Sequence, residues 1–170
     1  MSLYEVSVPQ FKKMLKNVDK WLEAATDYAQ KRSFDPNVLL SMRLAPDQYP
    51  LVRQVQAASD AAKFAAARLT GKDAPRHPDT EQTMDALRNR LRSSAAYLET
   101  FTPVDFAGAE SRLVDLPLME GKVLMGTDYL TEFALPNFYF HVTTAYAILR
   151  HNGVELGKRM FLGPLNIRDR

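Results

Sequence analysis

Cysteine is absent from this chain of 170 residues. Its absence excludes disulfide bonds, a thiolate nucleophile and zinc sites built on cysteine ligands. The 7 glycines are scattered, so they form neither a phosphate-binding loop nor a dinucleotide-binding fingerprint. Serine, histidine and aspartate all occur, but the GxSxG motif of a nucleophile elbow does not. Nucleotide chemistry therefore has no support in the sequence.

An excess of charge of one sign is also lacking, because 22 basic and 20 acidic residues give a net charge of only +2. The basic residues form no dense patch with interleaved aromatics, so we expect no nucleic-acid partner. The most apolar segment, residues 129–149, contains Glu132, Asn137 and His141. Because such polar groups are costly in lipid, we expect a buried helix there and no membrane partner. The sequence shows no secretory signal, so we expect a cytoplasmic location.

Apolar residues, in contrast, are abundant at 46% and recur at helical spacing. A chain of this length is the size of one domain, so we expect a single domain over residues 1–170. Steps of three and four predict four long helices: one through residues 11–28, one from about Pro50 to Thr70, one through residues 84–98 and one ending at Asn152. Short and medium connections between them predict an all-α fold, an antiparallel four-helix bundle.

Prolines and capping residues suggest where these helices begin. Pro9 lies either in the first turn of the first helix, behind a Ser7 cap, or inside a helix that begins as early as Ser2. Asp79 and Gln82, three residues apart, resemble a capping box that opens the third helix.

The helical spacing is interrupted before the last long helix. Short alternating or β-branched runs over residues 112–116 and 122–125 predict a small two-stranded β-hairpin. An isolated hairpin of this size is marginally stable, so we expect an insertion in the bundle. Pro136 then breaks or restarts the helix, which continues to Asn152 with Gly153 as its stop.

His141 is the candidate functional residue of the last helix. Asn137 lies one turn before it on the same stripe, so both side chains are expected to face the bundle interior. A histidine four residues from a second histidine or a carboxylate can bind a divalent metal, because both side chains project towards one ion. Here the residue in that position is Asn137, whose amide is a weak metal ligand. We therefore predict no metal and no other cofactor. If a divalent metal does bind, His141 is the expected ligand.

The second helix is expected to supply the surroundings of His141. The predicted pocket residues are His141, Asn137, Gln54, Gln56 and Asp60. We favour a buried neutral imidazole with a hydrogen bond to a polar side chain of the second helix. Two interpretations of that helix stay open: a solvated face with an Asp60–Lys63 pair, which we prefer, or a face turned to His141 with Asp60 as its orienter or ligand.

The other two histidines carry no comparable spacing. His151 lies near the end of the last helix, where a cation interacts favourably with the final carbonyl groups, so a capping or surface role is expected. His77 lies in a proline-rich loop, and we expect it to be exposed to solvent.

Three blocks of the sequence resemble a known family. The blocks "SLYEVSVPQF", "RLAPDQYPLVRQVQAASDAAKFAAARLTG" and "ALPNFYFHVTTAYAILRHNGVELGKRMFLG" are similar to an uncharacterised bacterial domain family of the DinB/YfiT-like superfamily of metalloenzymes. The resemblance spans nearly the whole chain. It implies a four-helix bundle that is often dimeric, and in active members a metal-dependent thiol transferase or related enzyme.

The resemblance also implies a metal site of three histidines, one on the second helix and an HxxxH pair on the last long helix. Aligned through "LRHNG", the second histidine of that pair corresponds to His141 and the first to Asn137. The second helix contains no histidine. Two of the three implied ligands are thus missing.

Three functional hypotheses follow. The preferred one is a DinB-like homodimer with a degenerate metal site, which binds a small molecule or has a structural role. The alternative is a metal-dependent enzyme, of thiol transferase or hydrolase type, with an altered site centred on His141. The third is an interaction protein, a homodimer whose aromatic surface is the functional feature. Whether the protein is an enzyme stays open at this point.

Overall fold

The computed structural model describes residues 1–116 and 119–169, which are mostly helical. The predicted domain over residues 1–170 also includes Pro117, Leu118 and Arg170, which lie outside the described residues. The α-helices are α1 (Leu3–Lys31), α2 (Leu51–Thr70), α3 (Met84–Glu99), α4 (Gly126–Asp128), α5 (Leu135–His151) and α6 (Lys158–Leu162). Short 3-10 helices cover Pro36–Ser41, Pro103–Phe106 and Ala109–Ser111.

The first helix begins at a capping box. The Oγ atom of Ser2 accepts a hydrogen bond from the backbone N–H of Glu5, and the Glu5 carboxylate accepts one from the N–H of Ser2 at 2.8 Å. Two of the free N–H groups at the helix start are thereby satisfied. Of the two predicted positions of Pro9, the interior of the helix is therefore the correct one.

The third helix begins later than the predicted capping box. Thr83 is its cap, because its Oγ1 atom accepts a hydrogen bond from the backbone N–H of Ala86 at 3.1 Å. The helix then starts at Met84. The predicted box of Asp79 and Gln82 is wrong, and the carboxylate of Asp79 has arginine partners instead.

The predicted β-hairpin is confirmed. Strands β1 (Leu113–Asp115) and β2 (Val123–Met125) pair in antiparallel register, with Val114 opposite Leu124. Val114 is buried while its two strand neighbours are exposed, so only one face of the hairpin contacts the core.

The last long helix changes type at its proline. A π-helical turn over Tyr129–Ala134 follows α4 and leads directly into α5, with Pro136 in the first turn of α5. Proline lacks an N–H and its ring crowds the carbonyl of the preceding turn, so a wider π turn ahead of it removes the clash. The chain thus stays helical through Pro136.

One cluster of buried apolar side chains lies among the four long helices. Helix α1 packs mainly on α3, and α2 packs on α5 and α3. Trp21, Phe11 and Phe138 are among the largest fully buried side chains, and the rings of Phe11 and Phe138 meet edge to face at 4.8 Å between centroids. Within residues 1–116 and 119–169, no helix is long and apolar enough to cross a membrane.

Candidate functional site

A cavity of about 280 Å³ opens between α2 and the helical segment that runs from the π turn into α5. Three alanines, Ala57 and Ala61 of α2 and Ala134 of the π turn, lie along it. Their small side chains leave the space that larger residues would fill between two packed helices. His141 and Asn137 line the same cavity from α5.

The imidazole of His141 is fixed by the second helix. Its Nδ1 atom lies 2.8 Å from Oε1 of Gln54, and Nε2 of Gln54 donates to the backbone carbonyl of Tyr49 at 3.1 Å. Because the amide nitrogen is used on Tyr49, the amide oxygen is the acceptor, and Nδ1 of His141 donates. The lone pair of the neutral ring then lies on Nε2, which has no partner among the described residues.

Burial favours the neutral form of this ring. It lowers the pKa of His141 from the usual histidine value, since a charged imidazolium would lose solvation in the half-buried position. Near neutral pH the side chain is therefore an uncharged imidazole, oriented by Gln54, that lines the cavity and keeps Nε2 as a hydrogen-bond acceptor.

Of the other predicted pocket residues, Asp60 and Asn137 line the cavity and Gln54 reaches the imidazole, but Gln56 does not line it. Gln56 is 2% exposed, and its Nε2 atom donates to the carboxylate of Glu81 at 2.7 Å. Residues two positions apart on a helix point in different directions, so Gln54 and Gln56 could not both face His141.

The polar side of α2 is not a solvated face. The side chains of Lys63, on α2, and of Arg90, on α3, are each only 1% exposed. Both pair with the carboxylate of Asp60, at 2.7 Å for Lys63 and 2.8 Å for Arg90. Helix α3 and the loop before it cover this face of α2. The predicted Asp60–Lys63 pair is therefore present, but the face that carries it is covered and not solvated, and Asp60 is held by two cations, not by His141.

The ion pairs extend into a larger network. Arg90 also contacts the carboxylates of Asp79 and Glu81, both at 3.0 Å, and Asp79 pairs with Arg53 as well. Burial alone would raise the pKa of Asp79 and of Glu81. The hydrogen bonds from Arg53 and Gln56, respectively, and the charge of Arg90 outweigh burial and lower both values.

His77 belongs to this network and is half-buried, so the prediction that it is exposed is wrong. Its Nδ1 atom lies 3.0 Å from Nζ of Lys63, and its Nε2 atom lies 3.0 Å from Oγ of Ser93. An ammonium group only donates, so Nδ1 accepts and Nε2 donates to Ser93. Burial, together with the charges of Lys63 and Arg90, lowers the pKa of His77. His151, in contrast, is exposed in the last turn of α5.

Arg68 of α2 is a cavity residue that the sequence analysis missed. Its Nη1 atom donates to the hydroxyl of Tyr129 at 3.2 Å, and its guanidinium lies 5.3 Å from the ring centre of Phe64. Steps of three and four lead from Gln54 through Ala57, Ala61 and Phe64 to Arg68, so all five lie on one stripe of α2. Following the stripe from Gln54 would have identified it.

The three-histidine metal site implied by the resemblance does not fit these residues. His141 offers one nitrogen, because Gln54 holds the other, and the carboxylate of Asp60 is already bound by two cations. Across the described part of the chain, no three histidine, aspartate or glutamate side chains converge as a metal site would require.

The chain matches a known protein family and a solved structure. The model of a domain of unknown function, DUF1993, matches residues 3–162. A crystal structure of a DinB family member protein from Shewanella denitrificans has 48% sequence identity and a TM-score of 0.95, covering 99% of this chain and 96% of that chain. No curated protein matches.

Proposed function

This chain belongs to the DUF1993 family, and from this premise we propose that its cavity binds a small organic molecule at His141 without a metal ion. The proposal rests on the hydrogen bonding of the two nitrogen atoms of the His141 imidazole. Gln54 fixes Nδ1, and Nε2, which has no partner in the part of the chain that the structure describes, belongs to a side chain that lines a cavity of about 280 Å³. Small-molecule sites combine such a preformed cavity with a few oriented polar groups.

The walls of the cavity suit an organic ligand. Phe64 and Phe133 supply apolar surface, and Asn137 supplies an amide next to the imidazole. An O–H or N–H group of the ligand would donate to Nε2 of His141, while its apolar part packs between the aromatic rings. Burying that apolar part contributes about 25 cal/mol per Å² of surface removed from water.

The alternative, a metal-dependent enzyme with an altered site, has less support. It requires Nε2 of His141 to be joined by further ligands, and Asp60 would have to leave Lys63 and Arg90 to become one. Breaking such a buried pair costs about 3–5 kcal/mol, which metal binding would have to offset.

The architecture and assembly are part of the proposal. The packing of α1 on α3, and of α2 on α3 and α5, supports an antiparallel four-helix bundle formed by a single domain over residues 1–170. A homodimer with an aromatic contact surface is also proposed, because the family that the sequence resembles is often dimeric. A monomer mass in light scattering at micromolar concentration would contradict the homodimer. Cytoplasmic location is tested by cell fractionation.

Binding is tested by NMR on isotope-labelled protein that carries no His tag and has been dialysed against EDTA. A panel of aromatic fragments with hydroxyl, amine or carboxylate groups should shift signals of residues 53–68 and 129–141. His141→Gln should abolish these shifts, whereas the matched variant His151→Gln, on the exposed end of the same helix, should keep them. The proposal is wrong if no fragment binds there, or if binding appears only after Zn²⁺ is added.

A further inference from the structure

We infer that the ligand of this cavity carries an anionic group, a carboxylate or a phosphate monoester, that pairs with Arg68. The inference rests on the proposed function and adds the chemical class of the ligand. It starts from the surroundings of Arg68, which is half-buried at the wall of the His141 cavity. Its contacts are the hydroxyl of Tyr129 and the ring faces of Phe64 and Tyr129.

The charges around the cavity are balanced without Arg68. Three cations and three carboxylates form the ion-pair network beside the cavity: Arg53, Lys63 and Arg90 with Asp60, Asp79 and Glu81. Arg53, Asp60 and Asp79 line the cavity, and each is paired within the network. The two histidines nearby are neutral near pH 7, because burial lowers their pKa values. Arg68 has no carboxylate within ion-pair distance in the described ranges, so its charge is the surplus at this cavity.

Arg68 and Tyr129 together form a donor set for an anion. The phenol oxygen accepts from Arg68, so its own O–H is left to donate. Burial raises the pKa of Tyr129, which keeps that proton in place. A guanidinium has five N–H groups in a planar fork, and only one is used on Tyr129, so the others can meet two oxygens of a carboxylate or phosphate.

The position of Arg68 also suggests the shape of the ligand. Gln54, which holds His141, and Arg68 are separated on α2 by a span of about 21 Å along the helix axis. A ligand that reaches both groups is therefore elongated, with a hydrogen-bond donor at the His141 end, an apolar middle against Phe64 and an anionic end at Arg68.

Three probes of matched length, each with a phenol O–H as the donor for His141, test the inference by calorimetry and NMR on the full chain: 4-(4-hydroxyphenyl)butyrate, 3-(4-hydroxyphenyl)propyl phosphate and the neutral 4-(4-hydroxyphenyl)butanamide. A charged hydrogen bond predicts that at least one anion binds about tenfold more tightly than the amide. The carboxylate and phosphate arms show which headgroup is preferred. Arg68→Gln should remove the preference, so that neither anion binds more tightly than the amide, and Arg68→Lys should keep part of it.

Arg112 provides the matched control. It lines a neighbouring cavity that also includes Arg68, but it does not line the His141 cavity. Arg112→Gln should therefore keep the preference, and an equal loss in both variants would place the anion elsewhere. Equal affinity for the amide and both anions overturns the inference while the proposed function stands. Absence of binding by all three probes also overturns it, and the fragment panel then decides the proposed function separately.

Discussion

The Nδ1 atom of His141 on α5 lies 2.8 Å from the Oε1 atom of Gln54 on α2. This hydrogen bond joins the two helices that enclose the cavity, and it selects the tautomer in which Nε2 is the acceptor. The amide of Gln54 thus holds the imidazole ring in place. The properties of His141 therefore depend on Gln54.

Replacing Gln54 with glutamate should raise the pKa of His141 above its value in the natural protein. A carboxylate next to Nδ1 stabilises the imidazolium, whereas the amide oxygen of Gln54 leaves burial as the dominant influence. An NMR titration of the His141 ring signals measures the change, with the His151 signals as an internal reference. An unchanged or lower pKa would show that Gln54 does not set the protonation of the ring.

Removing the cation at the centre of the network should destabilise the fold strongly. Arg90→Gln removes a buried guanidinium and leaves the half-buried carboxylates of Asp60 and Glu81 partly unpaired, so we expect a loss of about 3–5 kcal/mol in the free energy of unfolding. Arg92→Gln, two residues along the same helix, removes a side chain that is 55% exposed and pairs with Asp19. We expect less than about 1 kcal/mol there. Urea unfolding measures both, and similar losses would contradict the account.

Stability should depend on pH through His77. Its pKa is lowered in the folded protein, so the unfolded chain binds more protons once the pH falls below the ordinary value of 6.5. The free energy of unfolding should therefore decrease as the pH falls from 6.5 towards the lowered pKa of His77, and become independent of this group below that.

His77→Gln isolates this contribution, because glutamine is neutral at every pH. The variant should lose less stability than the natural protein over the same pH range in urea unfolding. The remaining dependence should come partly from His141, whose pKa is lowered as well. Parallel pH profiles for the two proteins would show that His77 does not titrate against Lys63 and Arg90.

The core is tested by a pair of phenylalanines on α5. Phe138 is fully buried against Phe11, so Phe138→Ala should cost about 3–5 kcal/mol. Phe140 is 57% exposed, and Phe140→Ala should change stability by about 0.5 kcal/mol or less. Equal effects in thermal or urea unfolding would mean that the side chains of α5 are oriented differently.

Much of the fold can be predicted from the sequence, because it depends on local patterns. The stripe at steps of three and four predicts the long helices, and the break in that spacing predicts the hairpin of β1 and β2. The same helical geometry places Asn137 and His141 together at the cavity wall. These features require only the spacing of residues within one element.

The surroundings of the site could not be predicted in the same way. Asp60 and Lys63 looked like solvated residues because charged side chains are usually exposed. Their burial depends on how α3 and the loop before it pack on α2, and His77 joins them only through that packing. Contacts between distant elements carry no local signal. Arg68 is the exception, because it lies on the stripe of α2 that starts at Gln54.

The most direct test of the central claim is a crystal structure of the untagged protein grown with the tightest-binding fragment, with diffraction recorded on both sides of the zinc absorption edge. The account predicts an organic molecule within hydrogen-bond distance of Nε2 of His141, with Nδ1 still bound to Gln54, and no anomalous peak in the cavity. An anomalous peak about 2.0–2.1 Å from Nε2, the distance of a zinc–histidine bond, would contradict it.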